Sequence, residues 1–354
     1  MVHGGSVLTS LHQLTDHALI ALLRKGKLFS EGFGDRRRLA RIVDAVASYR
    51  RESALDVPSI AWGDEKERFG VRAGSHERTE LMRFALGVRR LRGTFAAPLA
   101  AELPEESRTV HVELLLPRGA NAPHATPIVL LLAATSEEGF RRRRLFSLPL
   151  LQRGIAVLSV ENPYYGLRRP AGQIGPFVRT FSDQFAMNFA TVIEGRTLLA
   201  WLHREGYERV VVSGFSQGGM MAAFAAVTST FPVGVVPCAA GLTAHGIFLD
   251  AALSNAFAWP RLAADAGSEA EARALIERAL DPVSLAVHPP PLRPELAIVL
   301  GAAHDGFVPK RDVEALHRHW PGAELRWVSA GHVTTAALHH GAHRQAIRDA
   351  LARF

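Results

Sequence analysis

From residue 93 to the C-terminus, apolar runs alternate with stretches of helical spacing, a rhythm that predicts a mainly parallel sheet flanked by helices. Thr109 to Leu116 alternates apolar and polar positions like a half-buried strand. Ile128 to Ala133 is a continuous apolar run, as in a strand buried on both faces. A polar loop, Thr135 to Gly139, follows. A helix is predicted over Arg142 to Gln152, a strand over Ile155 to Val160, and a long helix over about Phe181 to Arg204, leading into Val210 to Ser213. Beyond a strand at Val233 to Ala239 the pattern stays helical but less regular as far as Pro289-Pro290-Pro291. This predicts a cap or lid over residues 241–292. Leu296 to Leu300 and Glu324 to Val328 read as strands, and Arg311 to His319 and Thr334 to Ala352 as helices.

Residues 1–92 read differently. Apolar residues recur at helical spacing through Leu8 to Leu23 and Leu39 to Val46, with Glu31-Gly-Phe-Gly as a breaker between them. Residues 52–76 are polar without a clear period, which predicts a loop or mobile segment. The expected organisation is a helical N-terminal extension, 1–92, ahead of an α/β domain, 93–354, that carries the 241–292 insertion. No internal repeat or low-complexity tract interrupts it.

The 354 residues are 48% apolar and 21% charged, the composition of an ordinary soluble globular protein. No apolar run approaches the length that spans a bilayer, and polar His3, His12, Asp16 and His17 precede Ala18 to Leu23, unlike a secretory signal. A cytoplasmic location is expected. The net charge of +7 invites a nucleic-acid reading, but arginine supplies nearly all of it, and the runs Arg36 to Arg38 and Arg141 to Arg144 carry no interleaved aromatics. Anionic substrates or peripheral contact with a membrane surface fit that charge better. Cys238 is the sole cysteine, so no intrachain disulfide exists; it reads as a small apolar residue of a buried strand.

The chemistry centres on Gly214-Phe-Ser-Gln-Gly, set between the β-branched run ending at Val211-Val212 and the mostly small, helix-compatible residues Met221 to Ala226. That order matches a nucleophile elbow, in which Ser216 occupies a tight strand-to-helix turn and the glycines avoid collisions with neighbouring backbone. The amide of Gln217, at the helix start, would face a developing oxyanion. A glycine-rich turn with no catalytic role has the same pattern, so the partners decide. A serine needs a base, and the base an orienting acid; in such a fold they follow in the order acid, then histidine. Asp305, after the strand Leu296 to Leu300, and His332, after the last strand, fit. His304 precedes the aspartate, and His317, His319, His339, His340 and His343 fall on predicted helices, where surface positions are expected. Asp250 and Asp281 are substitutes for the acid, while Asp312 suits a helix's first turn. The second oxyanion amide is assigned to Thr135, with Ala134 as alternative. No metal or cofactor is expected: no His-Glu-x-x-His pattern or phosphate-cradling loop is present.

Glu161-Asn-Pro-Tyr-Tyr-Gly-Leu-Arg-Arg-Pro follows a predicted strand at the sheet's carboxyl edge. Tyr164 and Tyr165 would line an acyl or leaving-group pocket, and Arg168 and Arg169 would clamp a carboxylate or phosphate. The competing reading is a rigid loop whose tyrosines pack against the helix starting near Phe181. With Thr135, Arg142 to Arg144, Phe181-Ser-Asp-Gln-Phe, the elbow and Pro237-Cys238, this stretch resembles the abhydrolase domain-containing 18 family of the α/β-hydrolase superfamily. The resemblance runs from Gly32-Phe-Gly, through Gly93-Thr-Phe and Leu103-Pro, to His332. It implies an α/β-hydrolase fold with Ser216, Asp305 and His332 as a triad. Ser136 departs from it, standing where glycine is expected. The expected function is a serine hydrolase of small-molecule or lipid carboxylic esters, a carboxylesterase or lipid deacylase. Alternatives are a prolyl-oligopeptidase-type peptidase, for which residues 1–92 are too short to form a propeller, an acyltransferase, or a silent scaffold that binds a ligand or partner.

Overall fold

The computed structural model describes residues 28–64, 87–250 and 252–354, together with His12, Leu14 to Asp16, Ala18, Leu19 and Leu22. The expected helix over Leu8 to Leu23 falls largely outside these residues, as does the stretch 65–76. Nine described strands form one sheet: β1 (Ala61–Asp64), β2 (Arg89–Ala96), β3 (Thr109–Leu116), β4 (Ile128–Leu132), β5 (Ala156–Val160), β6 (Val210–Phe215), β7 (Gly234–Cys238), β8 (Ile298–Ala302) and β9 (Glu324–Val328). Their order is β1-β2-β3-β5-β4-β6-β7-β8-β9. Pairing is antiparallel from β1 through β2 and β3 to β5, and parallel from β5 onward.

Described helices cover both faces: α1 (Arg36–Ser48), α2 (Arg141–Leu151), α3 (Phe181–Arg204), α4 (Gln217–Val227), α5 (Trp259–Ala266), α6 (Glu269–Leu280), α7 (Lys310–His319), α8 (His332–Leu338) and α9 (His340–Leu351). The two faces explain the continuous apolar strands. Successive side chains point to opposite sides, so Ile128, Leu130 and Leu132 of β4 join the core beneath α3 and α4, while Val129 and Leu131 join that beneath α2 and α9.

The sheet begins earlier than the apolar pattern predicts. β2 lies across the end of the expected helical extension, because Arg89, Arg90 and Arg92 mask its alternation, and the short β1 lies within the stretch 52–76 expected to be a loop or mobile segment. Glu113 on β3, almost fully buried, takes Arg92 from β2 and Arg144 from α2 as partners, so charge occupies positions that an apolar count leaves for solvent. Residues 28–48 pack directly against the rest of the fold. Asp35 caps α1, whose Leu39, Ile42 and Val46 form one buried face. Phe29 packs among Phe181, Phe248 and Phe257, and Leu28 pairs by backbone hydrogen bonds with Ala256 and Ala258.

The expected closing helix is broken at His339 into α8 and α9. The break lets α9 bury Ala346, Ile347, Ala350 and Leu351 beneath the central strands while α8 takes its own direction. His343, expected on an exposed polar face, is instead buried beside β6, its Nε2 2.8 Å from Ser213 Oγ. Burial pushes its pKa down to about 3, with His340 and Arg344 adding to the effect. His288 is also buried, neither ring nitrogen having a described partner, and burial holds it at about 4.

Two histidines held neutral in the fold but ordinary in the unfolded chain stabilise the protein fully above about pH 6.5, the unbound imidazole value. That contribution is lost progressively as pH falls through the window down to about 3–4. Urea midpoints should therefore drop between pH 7.5 and pH 4.5, and His343→Gln should reduce the drop. An unchanged pH slope in that variant contradicts this assignment.

Candidate active site

The β6–α4 turn is dictated by crowding. Ser216 adopts φ +55° and ψ −119°, a left-handed backbone that non-glycine residues seldom occupy. A Cβ on Gly214 would lie 2.4 Å from the Gly218 carbonyl carbon, and one on Gly218 2.5 Å from the Leu132 carbonyl oxygen of β4. The turn closes only because neither residue has a side chain. The Ser216 amide donates to the Cys238 carbonyl at 2.8 Å, fixing the turn to β7. Cys238 itself is buried, which raises its thiol pKa far above the ordinary value, so it is a core residue and holds no thiolate.

Asp305 and His332 come to this turn from the ends of β8 and β9. Asp305 lies in the loop after β8, its Oδ1 accepting from the amides of Phe307 and Val308, each at 2.8 Å. Its Oδ2 is 2.7 Å from His332 Nδ1, and His332 Nε2 is 3.0 Å from Ser216 Oγ. The imidazole is the first residue of α8 and lies between the rings of Phe215 and Phe307, both 4.8 Å away. Such an arrangement can draw the serine proton to Nε2 while the carboxylate fixes the tautomer. The alternative carboxylates are elsewhere: Asp250 pairs with Arg311 and Asp281 with His245. His304 stacks on His12, away from the serine hydroxyl.

The loop after β4 faces the turn. Thr135 Oγ1 donates to Gln217 Oε1 at 2.9 Å, and Gln217 Nε2 donates to Asn188 Oδ1 at 2.6 Å, so these two residues are tied over Ser216. The Ala134 amide is already engaged by Glu137, whereas the amides of Thr135 and Gln217 have no acceptor among the described residues. Ser136, standing where glycine was expected, takes φ +64°, the conformation glycine favours, and its amide donates to the Tyr165 hydroxyl.

The distinctive Glu161 segment turns out to be the scaffold of these loops. Glu161, fully buried, accepts from the amides of Gly139 and Leu167, tying the loop after β4 to the loop after β5. Burial raises its pKa, and those donors oppose the shift. Arg168, expected to clamp a substrate anion, is instead completely buried and makes a bidentate pair with Glu194 of α3 at 2.7 and 2.6 Å. Arg169 is taken by Glu138. The Tyr164 hydroxyl meets Asp183 and Arg38 behind the site. Of the four candidate substrate contacts, Tyr165 alone lines the cavity described next, and burial pushes its pKa up to about 12.

That cavity, about 800 Å³, opens onto Ser216, Gln217, Thr135 and His332. Its walls are apolar side chains of α3 and α4 (Phe185, Phe189, Val192, Met221 and Phe224) and of the segment between β7 and β8 (Ile247, Phe248, Leu253 and Phe257). Apolar periodicity marks these residues as core, so the sequence pattern does not separate cavity wall from packed interior. Also missed was Arg143, buried beneath the loop after β4, which donates to Glu137 and to the carbonyls of Leu131, Val160 and Gly139. A glutamate six residues before an arginine was the available signal.

A profile of the family described as "Alpha/beta hydrolase domain containing 18" matches residues 26–274 and 263–353. The chain belongs to this family. Its fold is that of the α/β-hydrolases, and solved structures of similar fold agree. An acetyl xylan esterase from Paenibacillus sp. R4 superposes with a TM-score of 0.57 at 15% identity, over 93% of this chain and 98% of that one. Acetyl xylan esterase 1 from Thermoanaerobacterium sp. JW/SL YS485 gives 0.56 at 13% identity over the same shares. No helix among the described residues is long and apolar enough to cross a membrane.

The buried Arg168–Glu194 pair supports the loops of this family member without touching the cavity. Removing one partner strands a buried charge, so Glu194→Ala should cost about 3–5 kcal/mol in urea unfolding. Wild-type stability combined with a raised KM in Arg168→Ala would instead restore the substrate-clamp reading.

Proposed function

We propose that this protein is a serine hydrolase of carboxylic esters with an apolar acyl group, a carboxylesterase or lipid deacylase. The observation that carries the proposal is the relay Asp305–His332–Ser216, with contacts of 2.7 and 3.0 Å, at the mouth of the apolar cavity. Ser216 Oγ attacks the acyl carbonyl while His332 Nε2 takes the hydroxyl proton and Asp305 holds the Nδ1 hydrogen. The amides of Gln217 and Thr135 bear the oxyanion of the tetrahedral intermediate. Collapse breaks the ester C–O bond, and His332 passes its proton to the leaving alkoxide. Water, deprotonated by the same imidazole, then attacks the acyl carbonyl; collapse breaks the bond to Ser216 Oγ, which takes the proton back from His332, and the carboxylic acid leaves. None of these steps calls for a cofactor.

The two superposed structures are those of acetyl xylan esterases, which agrees with this chemistry. The cavity supports the choice of acyl group: its volume is within the range of roughly 300–1,000 Å³ typical of pockets that enclose most of a ligand's surface. Its lining is mostly apolar, with Thr135, Gln217, Asn188 and His332 among its polar members. Arg168 and Arg169 are committed to Glu194 and Glu138, which removes them as an anion clamp. A cytoplasmic location remains part of the proposal, with peripheral contact at a lipid surface compatible with the basic charge.

A fluorophosphonate probe should label folded wild type at Ser216, and Ser216→Ala should abolish labelling. His332→Ala should lower turnover of a nitrophenyl ester by on the order of 10⁶-fold. Absence of labelling in folded wild type sinks the hydrolase and leaves the silent scaffold. Across nitrophenyl esters from acetate to palmitate, kcat/KM should climb by up to about fourfold per added methylene while the chain still fits. A maximum at acetate removes the cavity as acyl site.

A further inference from the structure

Asp16 lies far from the site in sequence and is fully buried against it in space. Its Oδ2 accepts from the Gly306 amide at 2.9 Å and from the His332 amide at 2.8 Å, and its Oδ1 accepts from the Val333 amide at 2.9 Å. Gly306 directly follows Asp305 in the loop after β8. His332 and Val333 open α8 after β9. One carboxylate therefore bridges the two loops that present the acid and the imidazole. The β8–β9 pairing runs on past the strand ends through the Ala303 amide on the Val328 carbonyl and the His304 amide on the Ala330 carbonyl, and Asp16 adds the next tie, from Gly306 to His332 and Val333.

The surroundings are shaped to admit this carboxylate. A Cβ on Gly331 would lie 2.9 Å from Asp16 Oδ2 and 3.0 Å from the His12 carbonyl oxygen, and one on Gly306 3.3 Å from Asp16 Cβ. Two glycines thus leave the space that the aspartate fills. Nearby, Thr334 Oγ1 accepts from the Gly331 amide and stands 3.0 Å from His12 Nδ1, so the same N-terminal stretch touches α8 a second time.

We infer that Asp16 is a positioning residue that holds Asp305 and His332 in register for the Ser216 reaction. The inference rests on the proposed roles of those three residues. It assigns the N-terminal segment a part in turnover, not merely in packing. The carboxylate suits the task because its two oxygens offer about four acceptor sites, enough for three amides at once. Asparagine offers a single acceptor oxygen. It can keep the Gly306 and His332 contacts but must turn its NH₂ towards the Val333 amide.

The test uses full-length protein, nitrophenyl ester kinetics and fluorophosphonate labelling, with thermal melts to fix an assay temperature at which each variant is folded. Asp16→Ala should lower kcat by about a hundredfold, the loss expected when a reacting group shifts by about 1 Å, with KM nearly unchanged. The labelling rate at Ser216 should fall in parallel. Asp16→Asn should recover much of the loss, to within about tenfold of wild type, by keeping the bridge between the two loops. Folded Asp16→Ala with wild-type kcat and labelling rate overturns the inference, as does a defect confined to KM. If Asp16→Ala does not melt cooperatively, Asp16→Asn decides: reduced kcat at unchanged KM supports the role, and wild-type kcat overturns it. A wild type that neither labels nor hydrolyses overturns the hydrolase reading and this inference together, which separates that outcome from failure of Asp16 alone.

Discussion

The centre of the molecule depends on one close approach, where the start of α4 comes so near the end of β4 that Gly218 lies against the carbonyls of Leu132 and Ala133. Because no side chain fits there, the chain turns within a few residues from β6 into α4. The turn forces Ser216 into a positive φ and projects its hydroxyl beyond the sheet's carboxyl edge. Strain at that residue is sustained by a rigid frame: a central strand with both faces buried, a helix of small residues behind it, and an amide bond to Cys238. The loops after β4, β8 and β9 meet the hydroxyl because parallel strands end on the same side.

Apolar packing alone does not hold those loops, whose backbone amides lie in places that water reaches poorly. Buried carboxylates take up the task. Glu161 receives amides from two loops, Glu137 one from the loop after β4, and Asp305 two from its own turn. Buried arginines balance part of this charge, notably Arg143 with Glu137 and Arg168 with Glu194. A half-satisfied network would cost more than an apolar core of similar volume. Two of the four arginines at the start of α2, Arg143 and Arg144, are internal for this reason, while Arg141 and Arg142 face outward.

The cavity arises from the same construction. α3 and α4 supply a wall of Phe, Val and Met side chains, and the segment between β7 and β8 supplies the facing wall. Phe29 joins that segment to α3 through the rings of Phe181, Phe248 and Phe257, so the N-terminal residues help to define the space beside the serine.

By itself, the sequence determined the alternation of strands and helices after residue 93 and the position of the elbow. It also placed Asp305 and His332 after successive later strands, where the structure finds them against Ser216. These are local properties: burial on two faces writes a continuous apolar run, and a backbone collision writes a glycine at a fixed offset. Tertiary structure alone decided that Arg168 serves Glu194, that His343 is buried beside Ser213, that β1 and β2 extend the sheet, and that Asp16 spans two loops about three hundred residues further along the chain. Charged and polar side chains have the same letter whether they meet water or a buried partner. Which of the two they meet depends on contacts between distant segments, and no local period records those contacts.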